Sequence, residues 1–455
     1  MILAGSHNLG RHVAGTALSA TPPPRQRREK GSISTVIWTM PGPRAKIASV
    51  FALRAAPDFQ SLEWEDRNVD LSRTFTWEMP ASLVVGPGCA RTAGQELKRL
   101  GGSKALLVTD KGVEGAGILS GILEGLASAG VGRAIYSGVE PNPSIRCVQE
   151  AVALYKAEGC DCLLAVGGGS SMDTAKAAGA VMAHPGMEIR EMEGVGKLSN
   201  PIPPFIAVPT TCGTGAEATW AAVITDTERH YKMPIMSVHQ VPKVALIDGN
   251  LLTKLPGKVV ASTGMDALCH AAESYTNLNT NPISDALDLK AISMISDWLR
   301  PAVANQNLEA MSNMVLASTI AGMAFSNTRL TIVHAMSHPV SGYYGVPHGV
   351  ANAVLLPLVM DFNLIGNAQR FADIAEAMGE DTLGLTTMEA ARLAPKAVRE
   401  LSKDVGIPET FKDLGVTYEH LDAMIEDTFK SGNISINPVK VTREAVERIY
   451  REAIG

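Results

Sequence analysis

The chain has 455 residues, of which 46% are apolar and 19% are charged, a composition typical of a globular protein with more than one domain. The mild net charge of −6 argues against a nucleic-acid-binding surface, which usually contains a basic patch. No uninterrupted apolar run reaches the roughly 18 residues of a membrane span, so neither nucleic acid nor a membrane is expected as a partner. Six cysteines are too few for a disulfide framework and favour reduced, buried thiols in a cytoplasmic protein.

The first forty residues differ from the rest of the chain. Three prolines (22–24) precede the basic residues Arg25, Arg27, Arg28 and Lys30, and the segment holds one acidic residue, Glu29. An Arg-rich, acid-poor leader is typical of an organelle transit peptide. It is also compatible with a disordered extension, or with an upstream start before Met40. We favour a disordered leader over 1–40 and a lead-in over 41–75, and neither is used to predict the fold.

From about residue 76, short apolar runs alternate with helical patterns. The runs "KALLVTD" (104–110) and "CDCLLAVGGGS" (160–170) end in polar or glycine-rich turns, as buried parallel strands do. A helix is predicted between them as far as about Ala129. Further strands are predicted at 82–88, 131–139, 203–211 and 243–249. This alternation predicts an α/β domain over 76–250, with a parallel sheet covered by helices on both faces.

After about Leu255 the pattern is almost entirely helical. Pro256 is expected to start a helix, and the apolar residues that follow recur with a period near 3.6. This pattern predicts an all-α domain over 251–455. A two-domain arrangement of this kind favours a functional site in the cleft between the halves.

A glycine turn follows the strand at 160–170. Gly167, Gly168 and Gly169 allow close backbone approach, and the N–H groups at the start of the next helix can bind an anion. The spacing is not that of the G-x-G-x-x-G dinucleotide motif, and the lysine of a phosphate-binding P-loop is missing. The turn is therefore either a phosphate site or a tight turn with a serine cap.

A second loop, "PTTCGTGAEAT" (209–219), follows another predicted strand and is called the threonine loop below. It offers hydroxyl groups at Thr210, Thr211 and Thr214. Asp110, at the end of an earlier strand, is placed where an acid can bind a ribose diol and repel a 2′-phosphate. Each signal is weak alone, but together they favour a dinucleotide site.

The histidine segment "HAMSHPVSGYYGVPHG" (334–349) suggests a metal site when it is combined with an upstream segment. His334 and His338 are four residues apart and share a helix face, and His348 follows after two glycines. Asp266 and His270 form a second pair of this spacing. Isolated pairs are often ordinary surface pairs, but two pairs among apolar residues favour a metal site between helices.

These segments together resemble the iron-containing (group III) alcohol dehydrogenase family, from about Phe75 to the C-terminus. The matching segments are "GGGSSMDTAKA", "PTTCGTG", the histidine segment and "ALIDGNLLTKLPGKVVASTGMDALCHAAE" (245–273), which includes Asp248, Pro256, Asp266 and Glu273. The chain departs from the family at three packing positions, where Thr331, Ser337 and Ser341 replace Gly, Ala and Gly. These departures affect local shape rather than metal binding.

The resemblance implies a metal held by Asp266, His270, His334 and His348. It also implies NAD bound over the glycine turn and the threonine loop, with the residues Gly167, Gly168, Gly169, Ser170, Asp173, Thr210, Thr211, Thr214 and Lys232. Asp110 would disfavour NADP. His338 lies close to the metal without being a ligand, and it either passes the substrate proton to solvent or supports His334.

Three imidazoles and one carboxylate suit iron(II), but zinc binds such ligands more tightly in the general affinity order, so iron follows from the resemblance alone.

The leading functional hypothesis is an NAD-linked alcohol dehydrogenase and aldehyde reductase that acts on a primary alcohol or diol. A hydroxyacid–oxoacid transhydrogenase with tightly bound NAD is the alternative. A lyase similar to dehydroquinate synthase is disfavoured because the metal-lining segments are poor in Arg and Lys, and a non-catalytic iron-binding protein is the remaining alternative. We expect a homo-oligomer, and solvated side chains at His184, His230, His239 and His420.

Overall fold

The computed structural model describes residues 74–79, 82–229 and 231–455. The predicted leader lies outside these residues, as does most of the lead-in at 41–75. A parallel sheet precedes a helical region, which confirms the predicted fold class, an α/β domain followed by an all-α domain. The domain limits at 76–250 and 251–455 stay a prediction.

The described residues contain nine strands. They are β1 (Leu83–Val85), β2 (Lys104–Val108), β3 (Gly132–Tyr136), β4 (Cys162–Gly167), β5 (Gly194–Val195), β6 (Phe205–Pro209), β7 (Ala221–Asp226), β8 (Tyr231–Met236) and β9 (Val244–Ile247). Six of them form a parallel sheet in the order β1-β9-β6-β4-β2-β3. Because the strands are parallel, the turns that follow β2, β4 and β6 lie along one edge.

Side chains from the central strands alternate between two apolar cores. Leu106 and Leu163 belong to the core on one face, and the adjacent Leu107 and Leu164 belong to the core on the other. All four are fully buried. A sheet buried on both faces needs continuous apolar strands, which is why these runs are recognisable in the sequence.

A second sheet was not predicted. It has three strands in the order β5-β8-β7, and β7 runs antiparallel to β8. Pro234 lies within β8 and pairs with Val223. A proline argues against a strand because it cannot donate a ladder hydrogen bond, and it is tolerated here because β5 pairs with Ile235 and Met236, beyond Pro234.

Fourteen helices lie in the described part of the chain. They are α1 (Ala93–Arg99), α2 (Lys111–Gly115), α3 (Ser120–Ser128), α4 (Ile145–Ala157), α5 (Gly169–Ala183), α6 (Gly257–Thr276), α7 (Pro282–Asn305), α8 (Leu308–Thr328), α9 (Ile332–Tyr344), α10 (His348–Asn363), α11 (Ala368–Ala377), α12 (Thr387–Asp404), α13 (Leu421–Lys430) and α14 (Arg443–Ile454). The single helix predicted up to about Ala129 is wrong. Gly117, with φ of 71°, interrupts it and separates α2 from α3.

Two segments are long and apolar enough to cross a membrane by length and composition, Leu308–Thr328 and His348–Gly366. In each, more than half of the apolar window is buried inside the protein, 61% and 67% respectively. Burial in a helical core accounts for this apolar character, since core helices of soluble proteins pass the same test. The absence of a membrane partner stays a prediction.

All six cysteines are free, and five of them are buried, as expected. The expectation that His184 is solvated is wrong. Its side chain is buried, and its Nε2 accepts hydrogen bonds from the backbone N–H groups of Ser199 (2.9 Å) and Asn200 (3.1 Å). Backbone donors replace water around this imidazole, which a sequence pattern does not reveal.

Candidate active site

The glycine turn and the threonine loop lie side by side because β4 and β6 are neighbours in the sheet. Gly167 pairs with Pro209 at the ends of the two strands. The N–H of Thr210 donates to the carbonyl oxygen of Gly167 at 3.0 Å. The structure therefore brings the two predicted parts of the dinucleotide site together.

The contacts between these segments leave little space for side chains on the glycines. A methyl group at Gly168 would lie 3.2 Å from Cγ2 of Thr211, and one at Gly169 would lie 2.9 Å from Cγ2 of Thr214. Gly168 and Gly169 remain partly exposed, so their backbone is accessible beside the threonine side chains. This surface allows the close approach that a pyrophosphate requires.

Helix α5 begins in the glycine turn, with Gly168 as its N-cap. The first N–H groups of a helix have no partner within it, and the helix dipole favours an anion at this end. Ser170 lies in the first turn of α5. These features fit a dinucleotide phosphate.

Asp173 lies further along α5 and faces the second sheet. Its Oδ2 accepts a hydrogen bond from the N–H of Val223 at 3.1 Å. Burial raises the pKa of this carboxyl group to about 6, although Lys176 and Lys232 act in the opposite direction. Asp173 therefore connects α5 to β7, which sequence reasoning did not anticipate.

Asp110 lies beside the glycine turn, as predicted. One carboxylate oxygen caps α2 by accepting from the N–H of Val113 at 3.0 Å. The other oxygen would be 3.6 Å from a methyl group placed at Gly167. The carboxylate is thus held beside Gly167, at the edge of the predicted dinucleotide site.

Lys232 lies on β8, and its Nζ donates to Oδ1 of Asn142 at 2.8 Å. Its positive charge helps to lower the pKa of both His338 and His348, and that of Asp173. Lys232 therefore acts electrostatically on two histidines of the histidine segment and on Asp173 of α5.

Four predicted ligands converge on one point, and they are called the metal centre below. Asp266 and His270 lie on α6, His334 lies on α9, and His348 is the first residue of α10. Oδ1 of Asp266 is 3.9 Å from the Nε2 of each of the three histidines. Ligand atoms of Asp266, His270 and His334 lie within 4.8 Å of one another. One carboxylate oxygen and three imidazole nitrogens fit a divalent transition metal.

Glu273 orients the His334 ring. This buried carboxylate accepts hydrogen bonds from the N–H groups of Thr331 (3.0 Å) and Val333 (2.8 Å), and it contacts Nδ1 of His334. Burial raises the pKa of Glu273, but the charge of His334 and these hydrogen bonds lower it by more. The net pKa is below the usual value, so the group is ionised. A carboxylate at Nδ1 keeps the proton there and leaves Nε2 free to bind a metal.

His270 is oriented in a similar way by a backbone carbonyl. Its Nδ1 lies 3.2 Å from the oxygen of Gly213 in the threonine loop. The ring stacks on Phe325 with centroids 4.4 Å apart. Burial lowers the pKa of His270 to about 4, so the ring is neutral and Nε2 can act as a ligand.

Asn352 is a member of the site that sequence analysis missed. This fully buried residue places Nδ2 2.6 Å from Oδ1 of Asp266 and 3.1 Å from the Nε2 of both His334 and His348. A signal was present in the sequence. Asn352 is a polar residue in an apolar helix, four residues after His348 and therefore on the same face.

His338 lies beside the metal centre without contacting Asp266. Its ring stacks on His348 with centroids 5.2 Å apart and meets His334 edge-on at 6.1 Å. The residue is exposed to solvent, although desolvation by the surrounding protein, followed by the charge of Lys232, lowers its pKa. Among the described residues, no hydrogen bond joins His338 to His334.

Comparison with known proteins decides the family. A family model described as iron-containing alcohol dehydrogenase matches residues 80–249, and one described as the C-terminal part of the Fe-containing alcohol dehydrogenase family matches residues 260–454. The chain belongs to the iron-containing alcohol dehydrogenase family. The predicted resemblance is confirmed, and the protein is an oxidoreductase that acts on CH–OH groups.

The chain matches several members of this alcohol dehydrogenase family over nearly their whole length. The 1,3-propanediol dehydrogenase of Klebsiella pneumoniae is 44% identical over 84% of this chain and 99% of its own length. The NAD-dependent methanol dehydrogenase of Bacillus methanolicus is 39% identical over 83% and 99%. The crystal structure of a 1,3-propanediol oxidoreductase superimposes with a TM-score of 0.82 at 44% identity, over 84% of this chain and all of that one.

Proposed function

We propose that this alcohol dehydrogenase transfers hydride between a primary alcohol or diol and NAD, and that it reduces the corresponding aldehyde in the reverse direction. The observation that carries the proposal is the convergence of one carboxylate oxygen and three imidazole nitrogens on one point, with the charge of Lys232 acting on the adjacent His338 and on His348. When bound, the metal supplies Lewis acidity at the alcohol oxygen, and NAD supplies the hydride acceptor.

Asp266, His270, His334 and His348 would hold the metal, and iron(II) is proposed on the basis of family membership. The same ligand set suits zinc. Glu273 and the carbonyl of Gly213 each contact Nδ1 of a histidine and so direct its Nε2 toward the metal centre, and Asn352 donates to Asp266. The chain thus orients the ligand atoms before a metal binds.

The NAD site would extend from the glycine turn to Lys232. The start of α5 and the hydroxyl groups of the threonine loop would hold the pyrophosphate. Asp110 would accept hydrogen bonds from the ribose diol and repel the 2′-phosphate of NADP. Lys232 would contact the nicotinamide half, since its charge acts on the histidines of the metal centre.

We assign His338 to proton transfer between the substrate oxygen and solvent. Its ring is exposed to solvent and stacks beside His348, so it connects the metal centre with bulk water. Support for His334 already comes from Glu273, which makes the alternative role of His338 unnecessary.

The substrate class is tested with an NAD-linked panel of alcohols and aldehydes on protein loaded separately with iron and with zinc. The panel includes 1,3-propanediol, methanol and lactaldehyde, since relatives are a 1,3-propanediol dehydrogenase, a methanol dehydrogenase and a lactaldehyde reductase. Steady-state NADH formation from an alcohol alone is expected. Failure of every substrate with both metals would overturn the proposal. Hydride exchange between two substrates without free NADH would instead favour the transhydrogenase.

We further propose that the enzyme is a cytoplasmic homo-oligomer. Its free and buried cysteines are compatible with a reducing compartment. Light scattering on the purified full chain measures the mass of the assembly, and a monomer would contradict the proposal. Cell fractionation of the tagged full chain tests location, and import with cleavage near residue 40 would favour the transit-peptide interpretation.

A further inference from the structure

The threonine loop contacts both halves of the proposed site. Gly213 offers its carbonyl oxygen to Nδ1 of the metal-centre residue His270 at 3.2 Å. The next residue, Thr214, packs against Gly169 in the glycine turn, where an added methyl would lie 2.9 Å from its Cγ2. Adjacent residues of one loop therefore touch a proposed metal ligand and the proposed NAD site.

The loop also packs tightly on α8 of the helical region. Gly215 has a left-handed φ of 57°, and a methyl group there would lie 2.7 Å from both Cα of Gly322 and the carbonyl oxygen of Ser318. Glu217 accepts a hydrogen bond from the hydroxyl of Thr319 at 2.6 Å. Because backbone meets backbone at Gly215 and Gly322, the loop has little freedom to shift relative to α8.

Lys176 holds the loop from the other side. Its fully buried ammonium lies 2.7 Å from the carbonyl oxygen of Ala216 and 2.9 Å from those of Thr219 and Ala221, and its fourth partner is Oγ1 of Thr219 at 3.0 Å. Lys176 belongs to α5, the helix that starts at the glycine turn. One side chain thus joins the helix of the NAD site to the loop that supports His270.

The charge of Lys176 is balanced within the protein interior. Burial lowers its pKa to about 8, whereas Asp173 and Glu217 raise it. The ammonium therefore stays largely protonated at neutral pH. A buried cation is tolerated only with such partners, and its removal would leave several buried acceptors without a donor.

We propose that Lys176 is a positioning residue that holds the threonine loop where Gly213 supports His270 and Thr214 lines the NAD site, so that metal binding and NAD binding strengthen each other. This inference rests on the proposed function. Thermodynamic linkage requires the effect to be reciprocal: the factor by which the metal raises NAD affinity equals the factor by which NAD raises metal affinity.

The coupling is measured by calorimetric titration of the full chain with NAD, with and without zinc, and with zinc, with and without NAD. For the wild type we expect a coupling factor of about 5 or more, the same in both directions. In Lys176→Met the factor should fall to about 1, and the NAD affinity of the zinc-loaded protein should fall about tenfold. Lys396→Met is the matched control, because it removes a lysine whose side chain is 64% exposed. Its coupling factor should equal that of the wild type.

Two milder variants keep the test decisive if Lys176→Met does not fold. Thr219→Val removes one acceptor of the ammonium, and Thr319→Val removes the contact between α8 and Glu217. Both should reduce the coupling factor at least twofold. A lowered melting temperature with unchanged coupling, in Lys176→Met or in both milder variants, would overturn the proposal and leave Lys176 a purely structural role.

The outcomes separate this inference from the proposed function. Both titrations measure binding without turnover. A wild type that binds zinc and NAD with no coupling would overturn the inference alone. A wild type that shows the coupling but oxidises no alcohol would contradict the proposed function and support the inference.

Discussion

Asn352 donates a hydrogen bond from Nδ2 to Oδ1 of Asp266 at 2.6 Å, in the middle of the metal centre. The same amide nitrogen lies 3.1 Å from the Nε2 of His334 and of His348. One uncharged side chain therefore contacts three of the four proposed ligands. Groups that orient metal ligands contribute substantially to metal affinity without binding the metal themselves.

Replacement of Asn352 by leucine should weaken metal binding while the protein stays folded. The apolar side chain has a similar volume but cannot donate to Asp266, so we expect the metal dissociation constant to rise by about 10- to 100-fold. Competition with a chelator measures this constant. Asn363→Leu is the control, because Asn363 lies on the same helix and pairs with Asn437 at 3.0 Å. Equal losses of metal in both variants would contradict the role of Asn352.

Glu273→Gln should have an effect of the same kind through His334. The amide no longer supplies the negative charge that holds a proton on Nδ1, so Nε2 becomes a poorer ligand and metal affinity falls by about 10- to 100-fold. Metal content after dialysis against chelator is the measurement. Glu389→Gln, at an exposed position in the first turn of α12, serves as control. Full metal retention in Glu273→Gln would show that the hydrogen bond to His334 is dispensable.

Asp266→Asn should abolish turnover. The substitution removes the negative charge of the carboxylate from a site whose other three proposed ligands are histidines, so both the affinity for a divalent cation and the catalytic rate should be lost. NADH formation and metal content are measured on the same sample. Asp297→Asn, an exposed position on α7, should behave as the wild type. Measurable activity in Asp266→Asn would argue against the metal centre as the catalytic site.

His338→Gln separates proton transfer from metal binding. Because His338 makes no hydrogen bond to His334 among the described residues, the variant should keep its metal. Loss of a proton-transfer group should lower kcat by about 100-fold, and added imidazole should restore part of the rate. His420→Gln is a control histidine that stacks on Tyr343. Loss of metal from His338→Gln would instead support a role in holding His334.

Local periodicity accounts for what the sequence could predict. Asp266 and His270 share a helix face because they are four residues apart, and the glycine turn is recognisable because it follows the buried run of β4 directly. The four predicted metal ligands lie together in the structure, and so do the glycine turn and the threonine loop. Their roles in binding stay predictions.

Tertiary contacts account for what the sequence could not predict. The importance of Lys176 comes from four acceptors that are 40 to 45 residues away, and a lysine in a helix is normally assigned to the surface. The contact between Gly215 and Gly322 depends on how the sheet packs against α8. Strand β8 was not predicted. It contains Pro234, and a proline argues against a strand unless the positions of the neighbouring strands are known.

The stability of the protein should depend on Asp173 in a defined pH range. Burial raises the pKa of this carboxyl group from 3.8 to about 6, so between these values the folded protein holds a proton that the unfolded chain has lost. Stability from this group is therefore present at low pH and is lost as pH rises through about 6. An asparagine in place of Asp173 would keep an oxygen that can accept from the N–H of Val223, but it cannot ionise.

Asp173→Asn should consequently become more stable relative to the wild type as the pH rises from 4 to 6.5, by about 2 kcal/mol, with no further change above pH 7. Urea denaturation of the full chain without NAD, at several pH values, measures the difference. Asp297→Asn should show a difference that does not vary with pH. A constant difference for Asp173→Asn would mean that Lys176 and Lys232 keep the carboxylate ionised throughout. In that case α5 would be held to the second sheet by ion pairing rather than by a protonated acid.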